Sequence, residues 1–294
     1  MTAGTGVRYL LDLETAHNVK IAMSSMDSLE RMTTMGRSAL AVALWLIALG
    51  SALADDGVDQ AAAKAALLSA YPGLFGISGN TLTWSDGTTM VWDDGKAKSA
   101  DELLAAPDIE DMFHYVYPGA ERGPLVPATD FDPGRVRNEA FFEKLYGNSA
   151  RAVATKVVSI KWLPKLKGGS VQMTTVFGID GLIGKISEEL QDDKALSKYG
   201  LKPGGGFNWR FIAGTRRLSE HSFGIALDIN VGYSDYWRWT KPVQGAVPYK
   251  NRIPLAIAAL FEKYGFVWGG RWYHYDTMHF EYRPELLAYA KTKG

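Results

Sequence analysis

Residues 219–228 read SEHSFGIALD and residues 274–281 read HYDTMHFE, and between them they hold His221, His274 and His279, three of the chain's 5 histidines. His221 and Asp228 fall in a segment rich in strand formers, an odd number of positions apart. On a regular strand that spacing points two side chains to opposite faces. Gly224 stands between them, where a bulge or kink resets the alternation and lets both converge. In the second stretch Thr277 and Met278 read as a turn between Asp276 and His279, leading into a final strand. On that strand His279, Glu281 and Arg283 share one face, and Phe280 and Tyr282 take the other.

Two imidazoles and one carboxylate form a donor set suited to zinc, with the fourth position left for water. A hydrolytic zinc site also needs a carboxylate off the metal as general base, and Asp276 is the candidate. Spacing alone leaves alternatives open. Asp228 reads equally as a turn cap, and His274 reads first as a hydrogen-bonded core residue, with a second role orienting Asp276 or donating to an oxyanion. Other chemistries are absent: there is no Ser-x-x-Lys, Gly-x-Ser-x-Gly, His-Glu-x-x-His or Walker A pattern. The run Gly204-Gly205-Gly206 reads as a turn rather than a phosphate cradle.

Around these motifs the pattern is that of an α+β chain with a mostly antiparallel sheet and flanking helices. VVSIKWL, SVQMTTV, FNWRFIAG and HSFGIALDINV read as strands, DGLIGKISEELQDD and RIPLAIAALFEKYG as helices. Upstream, VDQAAAKAALLSAYPG, SADELLAA, DIEDMFHYVYP and RNEAFFEKLYG read as helices, and TLTWSDGTTMVWDDG as a hairpin turning at Asp86-Gly87. Four prolines between 118 and 135 make that stretch extended and irregular. The texture changes near 150, so 55–150 is expected to be an accessory region and 151–294 the domain that carries both motifs.

Lys+Arg and Asp+Glu both number 32, and a net charge of zero argues against nucleic-acid binding. Cysteine is absent, which removes disulfides, thiolate metal sites and cysteine nucleophiles. Residues 38–54, SALAVALWLIALGSALA, follow Arg37 and end small-x-small, the layout of a secretory signal peptide. The run is short of the ~20 residues a spanning helix needs, so cleavage after Ala54 and no remaining membrane span are expected. Residues 1–34 then read as an upstream extension with Met35 as the working start, and the mature protein as periplasmic or secreted.

Ser219-x-His221-x-x-Gly224-x-Ala226-x-Asp228, followed by Asp276-x-x-His279-Phe280, resembles the signature of the D-alanyl-D-alanine metallopeptidases. These are the VanY-type carboxypeptidases and endolysin-like peptidases of the group that includes lysostaphin and sonic hedgehog. The similarity covers roughly 154–287. It implies a hedgehog-like zinc peptidase core with His221, Asp228 and His279 as zinc ligands and Asp276 as base, where many relatives carry glutamate. It further implies an exported enzyme acting on peptidoglycan stem peptides, foremost a D-alanyl-D-alanine carboxypeptidase. An endopeptidase of the same fold and a non-catalytic zinc-containing wall binder are the alternatives. The arginine that relatives place at a strand end before a helix is missing from VQMTTVFGIDGLIGKISEEL. Arg210, on the expected strand leading into the first motif, is the first choice to replace it, with Arg135, Arg216 and Arg217 behind it. Ser219, His274, Trp272 and Glu281 are expected around the site in supporting or substrate-binding roles. Trp268, Tyr273 and Tyr275 read equally as groove or core.

Overall fold

In the computed structural model, which describes residues 57–122 and 125–294, the chain enters its first helix at Gln60. The expected leader at 35–54 and the stretch 1–34 lie outside the described residues. Asp59 caps α1 (Gln60–Ala70) by accepting the backbone N–H of Ala62, which satisfies one of the donors a first helical turn leaves unpaired. Three short antiparallel strands follow, β1 (Phe75–Ser78), β2 (Thr81–Trp84) and β3 (Thr89–Val91). The β2–β3 turn falls at Asp86-Gly87 as expected, the Asp86 carboxylate accepting the Thr88 N–H.

Helix α2 (Ala100–Ala105) opens with a capping box between Ser99 and Glu102. The helix expected over DIEDMFHYVYP contracts to one 3-10 turn at Glu110–Phe113. Asp108 and Asp111 exchange side-chain to backbone hydrogen bonds there, a local closure that competes with helix propagation. Helices α3 (Glu139–Tyr146) and α4 (Ala150–Ala154) are capped by Asn138 and Ser149, and α3 stops at Gly147.

Strands β4 (Val157–Lys161) and β5 (Ser170–Thr174) form an antiparallel hairpin, covered by α5 (Ile179–Asp192) and followed by the short α6 (Ser197–Gly200). The principal sheet comprises β6 (Pro203–Gly205), β7 (Ala226–Asn230), β8 (Phe266–Trp268) and β9 (His279–Tyr282) in the order β6-β7-β9-β8, antiparallel throughout. Helix α7 (Leu255–Lys263) packs on β8, and α8 (Pro284–Thr292) closes the chain. Alternation divides β7 and β9 between two faces. Leu227, Ile229 and Phe280 enter the core, where the Phe280 ring stacks on Phe261 of α7 with centroids 3.9 Å apart. Asp228, His279 and Glu281 take the other face.

FNWRFIAG is not a strand. Its only sheet-like pairing among the described residues is an isolated bridge between Phe211 and Leu218, so Arg210 sits on a loop. Asn208, Arg210 and Ile212 spend their backbone groups on His221, Ser222, Ser219 and Arg217 instead of on a neighbouring strand.

Residues 57–294 form one compact unit. Helix α1 lies along α8, the Tyr71 hydroxyl donates to Glu285 at 2.9 Å, and the Tyr289 hydroxyl accepts the Asp59 N–H at 3.1 Å. The described part of 55–150, the expected accessory region, contributes to the same hydrophobic core as the residues that follow. Among the described residues no helix is long and apolar enough to cross a membrane.

Candidate metal centre and its cavity

Asp228 and His279 are direct cross-strand partners on β7 and β9, so sheet register alone brings them together. His221 arrives from a 3-10 turn, Glu220–Phe223, that precedes β7. Gly224 resets the chain there at φ +69°, a left-handed conformation that favours glycine. The kink anticipated at this residue is thus a turn followed by a strand, and it delivers His221 to the Asp228 side. The His221 Nε2 lies 3.2 Å and the His279 Nδ1 3.1 Å from Asp228 Oδ1. One donor atom from each of the three residues falls within 4.8 Å of the others.

Each imidazole is held from behind. The His221 Nδ1 donates to the Gly206 carbonyl at 2.7 Å, which leaves Nε2 as the atom facing the cluster. The His279 Nε2 contacts Glu281 Oε2 at 2.9 Å, which leaves Nδ1 facing it. Backing of this kind fixes tautomer and ring orientation in metal-binding histidines. Gly206 occupies its place because no side chain fits: a Cβ there would lie 2.1 Å from the Gln172 carbonyl oxygen. Of the glycine run, Gly204 and Gly205 form the edge strand β6 beside Asp228.

These residues fit a zinc ion. The His221 Nε2 is buried and makes no well-formed hydrogen bond although Asp228 Oδ1 lies 3.2 Å away, an arrangement that a metal ion between them would satisfy. Two nitrogens and one carboxylate oxygen match the donor set of a catalytic zinc site with an open position. Burial works against charge on Asp228, but His221 and then His279 outweigh it and hold that carboxyl well below the usual range. In the metal-free chain His279 is likewise opposed by burial yet pushed up to about 10 by Asp228 and Glu281.

Asp276 stands at the turn into β9, its backbone N–H given to the Gly269 carbonyl at 3.0 Å. Its Oδ1 is buried without a partner, and the residue lines the same cavity as the three ligand candidates. Burial and then the nearby Asp228 push its carboxyl up to about 6, against the pull of both imidazoles. A carboxylate off the metal set, poised between charge states near neutrality, suits a general base.

The cavity has a volume of about 310 Å³. Arg135, Arg137 and Arg210 bring positive charge to it, and Tyr236, Trp237 and Trp239 bring aromatic surface. Arg210 is exposed at the rim, and its backbone is tied to Ser222 Oγ. Ser219 is buried and holds the His221 turn through its main chain, accepting the Ser222 N–H at 2.7 Å. Trp272 is buried 5.5 Å from the His279 ring, with the guanidinium groups of Arg135 and Arg137 over its face. Trp268 and Tyr275 belong to the core, donating to Thr277 O and Thr240 Oγ1. His274 lines the cavity and is held by Asp132, its Nδ1 2.6 Å from Oδ2.

Two residues at the site carried no sequence signal. Arg137 ion-pairs with both Glu220 and Glu281, and with Arg283 it holds Glu281 well below the usual carboxyl range despite burial. Asp132 belongs to the proline-rich stretch. Neither sits in a motif, and His274, Glu220 and Glu281, the groups they hold at the site, lie far along the chain.

A family model described as D-alanyl-D-alanine carboxypeptidase matches residues 213–282, the stretch that holds His221, Asp228, Asp276 and His279. No curated protein and no solved structure gives a significant match. Over these residues the chain resembles the D-alanyl-D-alanine metallopeptidases, a group of peptide-bond hydrolases.

Proposed function

We propose that this protein is an exported zinc peptidase with a hedgehog-like core that acts on the peptide stems of peptidoglycan, as a D-alanyl-D-alanine carboxypeptidase. One observation carries the reading: His221, Asp228 and His279 converge, and Asp276, whose buried Oδ1 has no partner, shares their cavity. Zinc held by those three residues would supply Lewis acidity toward the scissile carbonyl and lower the pKa of water. Gly206 and Glu281 keep the two imidazoles aimed at the metal position. Asp276 takes a proton from the attacking water as the new C–O bond forms. It returns that proton to the nitrogen as the C–N bond breaks, so the amine leaves neutral. Arg210 and Arg135 are the cations available to the carbonyl oxygen and to a terminal carboxylate, and that supply favours a carboxypeptidase over an endopeptidase.

The test uses zinc-loaded protein and defined muropeptides (tetrapeptide, pentapeptide and cross-linked), read by mass spectrometry. Loss of one terminal alanine from the pentapeptide is expected, and both Asp276→Ala and His221→Ala should abolish it. Cleavage within the stem or cross-link would move the protein to the endopeptidases. Stoichiometric zinc binding with no product at all would instead favour a wall-binding role.

A further inference from the structure

The hydrolytic scheme above makes no use of Asp132, although it is built into the cavity wall. It is 2% exposed and receives three hydrogen bonds. Its Oδ1 accepts the His274 backbone N–H at 2.9 Å, and its Oδ2 lies 2.6 Å from His274 Nδ1 and 3.0 Å from Arg135 Nη1. Burial opposes its charge, but these partners, His274 first, hold the carboxyl below the ordinary value. An ionised acceptor with charge-assisted donors is a rigid anchor.

The consequence falls on His274. Gripped by main chain and ring together, the imidazole has no freedom to swing, and the Trp237 ring packs edge-on against it with centroids 4.7 Å apart. Asp132 lies on one side of the ring, and on the other His274 lines the metal cavity with Arg135, Trp237 and Asp276. With Nδ1 committed to Asp132, Nε2 is the nitrogen left to meet a ligand. The side chain keeps 25% of its surface exposed, so it remains within reach of one.

We propose that Asp132 and His274 form a hydrogen-bonding arm of the active site, in which His274 Nε2 donates to the carbonyl oxygen of the scissile bond as negative charge builds there. The inference rests on the peptidase reading. His274 is then a catalytic residue and Asp132 the positioning residue behind it. The carbonyl electron pair moves onto oxygen as water adds and returns as the C–N bond breaks. His274 keeps its proton throughout, and Asp276 carries the one that travels. Because Nδ1–H is given to Asp132, Nε2 donates from the ring that carries both protons. Charged and titratable groups near the ring include Asp132, Arg135 and Asp276, with Asp101, Tyr115 and Asp130 lining the small cavity behind it.

The experiment compares the zinc-loaded full chain with His274→Gln and Asp132→Asn. It measures zinc affinity, kcat and KM, and the affinity of a phosphinate dipeptide whose anionic oxygen imitates the developing oxyanion. In His274→Gln, kcat should fall about 100- to 1,000-fold, the size of losing one oxyanion donor. KM and zinc affinity should hold. Phosphinate binding should weaken by about the same factor as kcat. Unchanged kcat and phosphinate affinity would overturn the inference while leaving the peptidase reading intact. A parent protein that neither cleaves peptide nor binds phosphinate would overturn both. If Asp132→Asn fails to fold, the partly exposed His274 still decides the matter.

Discussion

Arg137 ion-pairs with Glu281, the carboxylate that backs the His279 imidazole from 144 residues further along the chain. The same guanidinium reaches Glu220 at 3.2 Å, and Glu220 is the neighbour of His221. One buried cation from the N-terminal half therefore braces both histidine-bearing segments of the candidate metal centre. Removing it leaves the buried Glu220 without its ion-pair partner, a change of the kind that costs about 3–5 kcal/mol. Arg137→Gln should lower the unfolding free energy by that order in urea titrations. Among molecules still folded, zinc affinity should drop about 10- to 100-fold, as when other outer partners of metal-binding histidines are lost. Equal zinc affinity in a folded Arg137→Gln protein would show that Glu281 orients His279 unaided.

Zinc binding should release protons. In the metal-free chain His279 is held protonated, with its titration pushed up to about 10, yet it ligates only through a neutral nitrogen. At about pH 7 the ion must displace that proton, so apparent affinity rises with pH until His279 titrates freely. Calorimetry in buffers of different ionisation enthalpy should give a proton count near one per ion. A binding enthalpy independent of buffer would contradict the hydrogen-bonded state of His279.

Gly206→Ala tests how the His221 ring is aimed. The added methyl would lie 2.1 Å from the Gln172 carbonyl oxygen and 2.8 Å from Met173 Sδ, too close for either to stay in place. The backbone carbonyl that accepts from His221 Nδ1 must then shift. We expect a loss of zinc affinity together with a loss of stability of about 1–3 kcal/mol, the usual scale of overpacking. Full retention of both, read by metal titration and thermal unfolding, would refute the backing role of Gly206.

Glu110 offers a pH test remote from the metal centre. Burial, followed by Asp93, Asp108 and Asp111, pushes its carboxyl up to about 7. A folded-state value above the unfolded one means that the proton is held more tightly in the fold. The stabilising contribution is present below the ordinary value of about 4.5 and is lost as pH rises through about 7. Glu110→Gln keeps an acceptor for the Gln60 amide, which donates at 2.9 Å. The variant should exceed the parent in stability by about 1 kcal/mol at about pH 8, after allowing for solvent screening, and lose that advantage below about pH 5. Urea unfolding at the two pH values provides the measurement.

Much of the sheet and of the candidate site could be read locally. His221, Asp228, Asp276 and His279 stand in two short stretches where alternation, one glycine and one turn dictate which way side chains point. The hairpin at Asp86-Gly87 and the ends of α3 follow from turn and cap chemistry in the same way. Arg210 was harder. Its surroundings alternate as a strand does, but its backbone finds partners in the neighbouring 217–222 segment and remains a loop.

The amino-acid sequence by itself determined the donor types, their spacing and the kink at Gly224, because those depend on bond geometry within a few residues. Only the tertiary structure decided that Arg137 and Asp132 belong at the site. Their carboxylate and imidazole partners lie 144 and 142 positions away, so the pairing depends on how the residues before 150 pack against the principal sheet. A lone arginine or aspartate in an irregular stretch carries no pattern of its own, and a buried charge shows its purpose only when the opposite charge that holds it is in place.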